Sequence, residues 1–199
     1  MPEKMQQREN KKFLEDWYKT DDPWGYEKHP HDRIRKSKIL DCLRHRYFSR
    51  VLDIGCGQGF ITRDLPGKQV FGYDLSETAL KRLPGGVFPL KMEDIKGKYD
   101  LIIATGIIYE QYDYKWIVDT INKHASDVVL TCNITDWEMP YINKLKNQIH
   151  VEEFPYRDWI ERIRIYDYSK NHNRNYRPGH GGRHNAQILR EARLSDCQI

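Results

Sequence analysis

The segment Val51-Leu52-Asp53-Ile54-Gly55-Cys56-Gly57-Gln58-Gly59-Phe60 constrains the fold more than any other stretch of the chain. A short apolar run ends in glycines at alternate positions, Gly55, Gly57 and Gly59. A turn this tight after a strand needs backbone angles that a Cβ disfavours. Bare backbone there also lets a ligand approach closely. The feature belongs where a buried strand feeds a helix, so it points to an α/β protein.

The rest of the chain follows that lead. Strands are expected at 50–54, 69–73, 87–90, 99–105 and 127–132. Helices are expected to open at Gly59–Asp64, at 77–83 and at about 112–123. Ser76 is placed to cap the second of these, because its hydroxyl can accept a free amide of the first turn. Continuous apolar strands alternating with helices mean a parallel sheet covered on both faces. After Asn133 a helix fits 137–148. Two β-like stretches, 150–156 and 162–168, then read as the closing pair, one of them antiparallel. Upstream, Phe13, Leu14, Trp17 and Tyr18 share one face of a helix at 8–19. A second helix, 31–46, buries Ile34, Ile39, Leu40 and Leu43. The tail from Lys170 is polar, with room for a short helix at 184–193.

A length of 199 residues suits one domain. With 39% hydrophobic and 31% charged residues, the composition is that of a soluble globular protein. The longest apolar run, Leu101–Ile108, is too short to span a bilayer. The charged N-terminus lacks a signal-peptide core. Cys42, Cys56, Cys132 and Cys197 show no CxxC spacing, so neither a zinc site nor a disulfide framework is indicated. A cytoplasmic, reducing location is the expectation, with no metal and no membrane. The net charge of +4 is mild. Its excess lies in Arg33–Arg50 and Arg162–Arg193, where a basic rim can meet an anionic substrate.

Charge chooses among ligands for the glycine turn. A GxGxxG turn suits a dinucleotide, whose pyrophosphate sits on a helix N-terminus. Here the spacing is GxGxG, and Asp53 stands two residues ahead of Gly55. A carboxylate there repels a pyrophosphate and suits a cation, such as the ammonium of a methionine moiety. S-adenosylmethionine is therefore favoured over a nicotinamide dinucleotide. Asp74, ending the second strand, can accept both ribose hydroxyls. Glu93-Asp94-Ile95 follow the third strand. Asp94 can accept from an adenine amino group, while Ile95 and Ile54 pack on the ring.

The segments VLDIGCGQG, FGYDLS, MEDI and YDLIIATGIIYE, in this order over 50–133, resemble the successive motifs of class I S-adenosylmethionine-dependent methyltransferases. The resemblance implies a Rossmann-like fold with a seven-stranded, mostly parallel sheet and helices on both faces. It implies a cofactor pocket of Asp53, Gly55, Cys56, Gly57, Gly59, Phe60, Asp74, Leu75, Glu93, Asp94, Ile95 and Thr105. The run FLEDWYKTDDPWGYEKHPHDRIRK further resembles the start of NodS-like methyltransferases, which act on amino-sugar oligosaccharides. Asp22-Pro23-Trp24 match their DPW motif. His31-Asp32 stand where Tyr-Glu is usual, and Arg35 holds the basic place. By this resemblance residues 1–46 form a helical lid over a core at 50–168, with a basic tail at 170–199. Trp24 then lies against the adenosine or walls the acceptor site.

Methyl transfer is an in-line displacement, and alignment of two reactants supplies roughly 7–11 kcal/mol. A hydroxyl acceptor also needs a base, worth roughly 10²–10⁴ in rate. Thr105-Gly106-Ile107-Ile108-Tyr109-Glu110 follow the fourth strand, where the acceptor pocket is usual in this fold. They lack the Asn/Asp-Pro-Pro-Tyr/Phe motif of enzymes that methylate base amino groups. The expected acceptor is a small molecule or sugar rather than a nucleic acid. His31 is the first candidate base, with Glu110, His150, His180 and His184 behind it. Tyr109 and Tyr26 are candidates to orient the acceptor, and Asp136 to orient it or cap a helix. The competing readings are an RNA or protein methyltransferase docking through the basic tail, and a non-catalytic cofactor-binding scaffold.

Overall fold

The computed structural model describes residues 3–169, with side chains from Asn10 onward. The tail, the expected helix at 184–193, His180, His184 and Cys197 lie outside the described residues. Seven strands form one sheet: β1 (Phe48–Ile54), β2 (Gly67–Tyr73), β3 (Val87–Leu90), β4 (Tyr99–Thr105), β5 (Ala125–Ile134), β6 (Gln148–Tyr156) and β7 (Trp159–Asp167). Their order is β3-β2-β1-β4-β5-β7-β6. Neighbours pair in parallel from β3 to β5, and β7 pairs antiparallel with both β5 and β6. This is the expected Rossmann-like sheet. The helices are α1 (Glu3–Trp17), α2 (Pro30–Cys42), α3 (Glu77–Leu80) and α4 (Tyr114–His124).

The central strands alternate between two apolar layers, as a pleated strand must. Val51, Leu101, Ile103, Val128 and Leu130 face one side, under α2. Leu52, Ile102, Ala104 and Val129 face the other, under Ile117, Val118 and Ile121 of α4. Asp113 caps α4 by accepting from the Trp116 amide at 3.0 Å.

Two expected helices are corrected. The helix at Gly59–Asp64 shrinks to a 3₁₀ turn, Thr62–Asp64. Pro66 pushes Leu65 out of the helical region, to φ −68° and ψ 136°. β2 then begins at once. The helix at 137–148 is instead two 3₁₀ turns, Thr135–Trp137 and Pro140–Lys144. Pro140 holds Met139 extended at ψ 134°, and Asn147 turns the chain at φ +55°.

The lost helix after the glycine turn leaves one sheet face to be covered from elsewhere. α2 covers it, burying Ile39 and Leu43 to 0% and 1% exposure. α2 is thus a layer of the core. α1 packs more lightly, through Leu14 and Tyr18 against Ala79, Trp24 and Leu75. It is also clamped to the start of α3. Glu15 accepts from the Glu77 amide (2.6 Å), the Thr78 amide (3.1 Å) and the Ser76 hydroxyl (3.1 Å). Ser76 caps α3 as expected, accepting from the Ala79 amide at 3.1 Å.

Burial pushes the Glu15 carboxyl up, but the hydrogen bonds from Thr78, Glu77 and Ser76 together hold it below the usual range. The clamp is therefore intact at neutral pH and released as pH falls through that lowered value. Glu15→Ala is expected to raise hydrogen exchange in α1 and the first turn of α3, with β1, β4 and β5 unaffected. Loss of a cap costs about 0.5–2 kcal/mol. Unchanged exchange in α1 would show that Leu14 and Tyr18 hold it alone.

Candidate active site

β1, β2 and β4 deliver Gly55, Asp74 and Thr105 to one edge of the sheet, where three cavities adjoin. The first encloses about 790 Å³ of empty space, mouth included, between α1, the turn after it and the ends of β1, β2 and β4. Leu14, Trp24, Asp74, Leu75, Thr105 and Trp116 are among its walls. The second, about 420 Å³, is lined by Asp32, Arg35, Asp53, Gly57, Phe60 and Thr105, among others. The third, about 660 Å³, lies between Pro23-Trp24 and Gln58, with Arg63 and Arg82 at its side. Tyr18 and Tyr26 line all three.

The glycine turn has the backbone its sequence demands, with φ +75° at Gly55 and +53° at Gly57. The space beside it is filled by the protein. A Cβ on Gly55 would lie 2.6 Å from Ile107 Cγ2, and one on Gly57 would lie 2.6 Å from the Tyr18 hydroxyl. That hydroxyl accepts from Trp24 Nε1 at 3.0 Å. Gly59 tucks against Pro84, and Cys56 is buried beneath the turn.

Asp53 is 2% exposed at the end of β1. One carboxylate oxygen accepts from Thr62 Oγ1 at 2.6 Å. The other, Oδ1, has no hydrogen-bond partner among the described residues. Burial pushes its carboxyl up to about 7, against the Thr62 hydrogen bond and with the help of Asp74. Asp74 accepts from the Gly57 and Ser76 amides, both at 2.9 Å. Burial still raises it to about 6.

Arg35 comes to the same place from α2. It is buried, with its guanidinium 5.5 Å from the Tyr156 ring centroid and 6.0 Å from that of Tyr26. Nε lies 3.4 Å from Glu161 Oε2 in ion-pair range, yet makes no hydrogen bond among the described residues. Asp32, one turn earlier, is 1% exposed. It accepts from the Tyr156 hydroxyl at 2.7 Å and from Arg157 at 3.1 Å. Glu161 is equally buried and accepts from the Cys132 thiol at 3.3 Å. The network ties α2 to the β6–β7 hairpin.

The candidates from sequence are distributed unevenly. Asp53, Gly55, Cys56, Gly57, Phe60, Asp74, Leu75, Thr105 and Trp24 line one or more of the cavities. Glu93 and Asp94 sit on an exposed 3₁₀ turn and line none of them, although Met92 beside them lines the first. Ile95 is buried in the α4-side core with Leu52 and Ile54. His31, half-buried in the first turn of α2, and exposed Glu110 line none of the three. Tyr109 is buried, and its hydroxyl accepts from the Ile134 amide at 2.7 Å. Asp136 is exposed on the turn after β5. His150 lies on β6, where Cys42, His150 and Glu152 bring ligand atoms within 4.8 Å of one another. Lys38 already pairs with Glu152 there, at 2.5 Å. Sequence reasoning missed Tyr18, Thr62 and Glu161. Glu161 had a signal, an acid in register with inward-facing Ile163 and Ile165.

Among the described residues no helix is long and apolar enough to cross a membrane. No curated protein matches the sequence. The fold is similar to that of the N-methyltransferase NodS from Bradyrhizobium japonicum WM9, solved with S-adenosyl-L-homocysteine. The two are 17% identical with a TM-score of 0.66, over 78% of this chain and 96% of that one. It is also similar to the magnesium protoporphyrin IX methyltransferase ChlM from Synechocystis PCC 6803, solved with S-adenosylmethionine. There the identity is 14% and the TM-score 0.59, over 80% of this chain and 97% of that one. Residues 26–177 match the methyltransferase domain family, a span that takes in the glycine turn, Asp74 and the whole sheet. The chain belongs to that family.

Proposed function

We propose that the chain is an S-adenosylmethionine-dependent methyltransferase that moves a methyl group to a hydroxyl or an amine of a sugar or glycan. One observation carries the cofactor reading. The second cavity is lined by two buried groups of opposite charge, each with an atom left without a hydrogen-bond partner among the described residues, Asp53 Oδ1 and Arg35 Nε. An unmet buried polar atom costs about 1–3 kcal/mol, more when charged. The ammonium of a zwitterionic amino-acid end would satisfy Asp53, and its carboxylate would lie beside the Arg35 guanidinium, which Glu161 and Asp32 already face. Asp74, which lines the first cavity, would take the ribose hydroxyls. Leu75, Met92 and Trp116 give the first cavity an apolar wall for the adenine. The N-methyltransferase NodS and ChlM, solved with such ligands, support the same reading.

S-adenosylmethionine supplies a methyl group on a sulfonium, ready for displacement. The chain's part is to hold donor and acceptor in line and to keep water out. Tyr18 and Tyr26 stand where the three cavities meet. The candidate bases His31 and Glu110 stand outside these walls. An amine acceptor that arrives unprotonated needs no base. The sugar reading is supported by the Asp22-Pro23-Trp24 turn, whose tryptophan lines the first and third cavities. A labelled methyl-transfer screen over nucleotide-sugars, glycans, amines and RNA tests it. Transfer to a sugar is expected, and transfer to RNA alone would overturn it.

Asp53→Asn is expected to weaken S-adenosylhomocysteine binding roughly ten- to hundredfold in calorimetry, the worth of a charge-assisted hydrogen bond of about 1.5–3 kcal/mol. Unchanged affinity would place the ammonium elsewhere.

The pH dependence has opposite signs with and without ligand. A raised carboxyl favours the free folded protein while protonated, so that stability fades as pH rises toward about 7. Cation binding needs the ionised form, so affinity should climb over the same range and level off above it. Asp53→Asn should flatten this climb. A pH-independent Kd in the parent protein would refute the assignment.

A further inference from the structure

We propose that Trp137 and Trp159 form an acceptor subsite that stacks one sugar ring of an oligosaccharide, beside the place of methyl transfer. The inference rests on the sugar reading above. It extends that reading from the reacting group to how the remainder of the acceptor is held.

The two residues come from distant parts of the chain to the same edge of the sheet. Trp137 lies in the turn that follows β5. Trp159 opens β7, opposite Tyr156 at the end of β6. Because β7 runs against its neighbours, its first residue stands at the end where β1, β2 and β4 deliver the glycine turn, Asp74 and Thr105. Open α/β sheets bind their ligands outside this end of the strands. The indoles touch, with ring centroids 4.9 Å apart and planes at 56°. Tyr109 supports Trp137 edge-on at 5.9 Å. On the other side, Tyr156 donates to Asp32, which lines the cavity that holds Asp53 and Arg35. The aromatic pair therefore borders the candidate donor site without entering it.

The pair is buttressed from behind yet open in front, since Trp137 is 44% exposed. Its setting selects the ligand. Arg162 and Arg164 alternate to the opposite face of β7 from Trp159, where Glu138 matches both and Glu153 matches Arg162 at 2.5 Å. Arg157 is matched by Asp32. Cations neutralised in this way give no field for a phosphate chain. A wholly apolar ligand would desolvate Asp136, Arg157 and Asp158 without replacing their hydrogen bonds. A sugar ring meets both demands. Its C–H faces lie on the electron-rich indole faces, and its hydroxyl edge meets the ionised rim. A subsite one strand-end away from the donor cavity implies an acceptor of more than one ring.

The test uses the full chain saturated with S-adenosylhomocysteine. Chitotetraose, cellotetraose and maltotetraose are titrated by calorimetry against the parent, W137A and W159A, with indole as the aromatic control. At least one tetrasaccharide is expected to bind the parent, and each variant to weaken it at least tenfold. S-adenosylhomocysteine affinity should stay within twofold, which also shows that the variants fold. Full saccharide affinity in both variants overturns the subsite. So does binding of indole but of no saccharide. If methyl groups go to a sugar yet the variants keep the parent KM, the subsite fails and the sugar reading stands. If no sugar accepts a methyl group, both fail.

Discussion

The short connection between β1 and β2 is the constraint on which the rest of the structure depends. Pro66 and the immediate start of β2 leave no room for a helix after the glycine turn. The exposed face of β1 and β4 must still be buried, at about 25 cal/mol per Å² of apolar surface. The N-terminal segment provides the cover. Once α2 lies there, Arg35 and Asp32 are carried down beside the glycine turn and have to be neutralised. Glu161, Tyr156 and Arg157 of the β6–β7 hairpin do this. A buried ion pair broken by loss of one partner costs about 3–5 kcal/mol, so the hairpin and α2 hold one another in register.

This arrangement explains the polarity of the candidate site. Asp53 ends a central strand and is buried on all sides, while Arg35 arrives from a helix laid across it. Neither has all its hydrogen bonds met among the described residues. A binding site made of residues that the fold has buried but left incomplete is prepared for its ligand in advance, so less ordering cost falls on binding. The aromatic rings of the N-terminal turn complete the enclosure. Trp24, Tyr26 and Phe60 follow one another at 6.4 and 5.5 Å.

Much of the sheet was legible in the sequence because its signals are local. Apolar runs ending in Gly55, Asp74 and Thr105 located three strands, and Ser76 located a cap. At two expected helices Pro66 and Pro140 outweigh apolar spacing. The donor side of the site could be read from Asp53, the glycines and Asp74, which lie close in sequence. The other half could not. Asp32 meets Tyr156, and Arg35 meets Glu161, only after the hairpin returns across the sheet. The chemistry of His31 and Glu110 makes them candidates but says nothing about the direction a side chain takes. Asp32, the neighbour of His31, is the one turned inward.

The Tyr18 hydroxyl over Gly57 has a consequence for how such sequences can change. The missing side chain at Gly57 makes room for a residue of the protein's own N-terminal segment, on the far side of a long stretch of chain. The two positions are one packing unit. A relative that carries even a methyl group at position 57 needs a smaller residue at 18, and a left-handed turn that tolerates a Cβ. Drift at either site is thus conditional on the other. The N-terminal segment and the glycine turn should be inherited together, so that grafting one without the other yields a chain that fits neither.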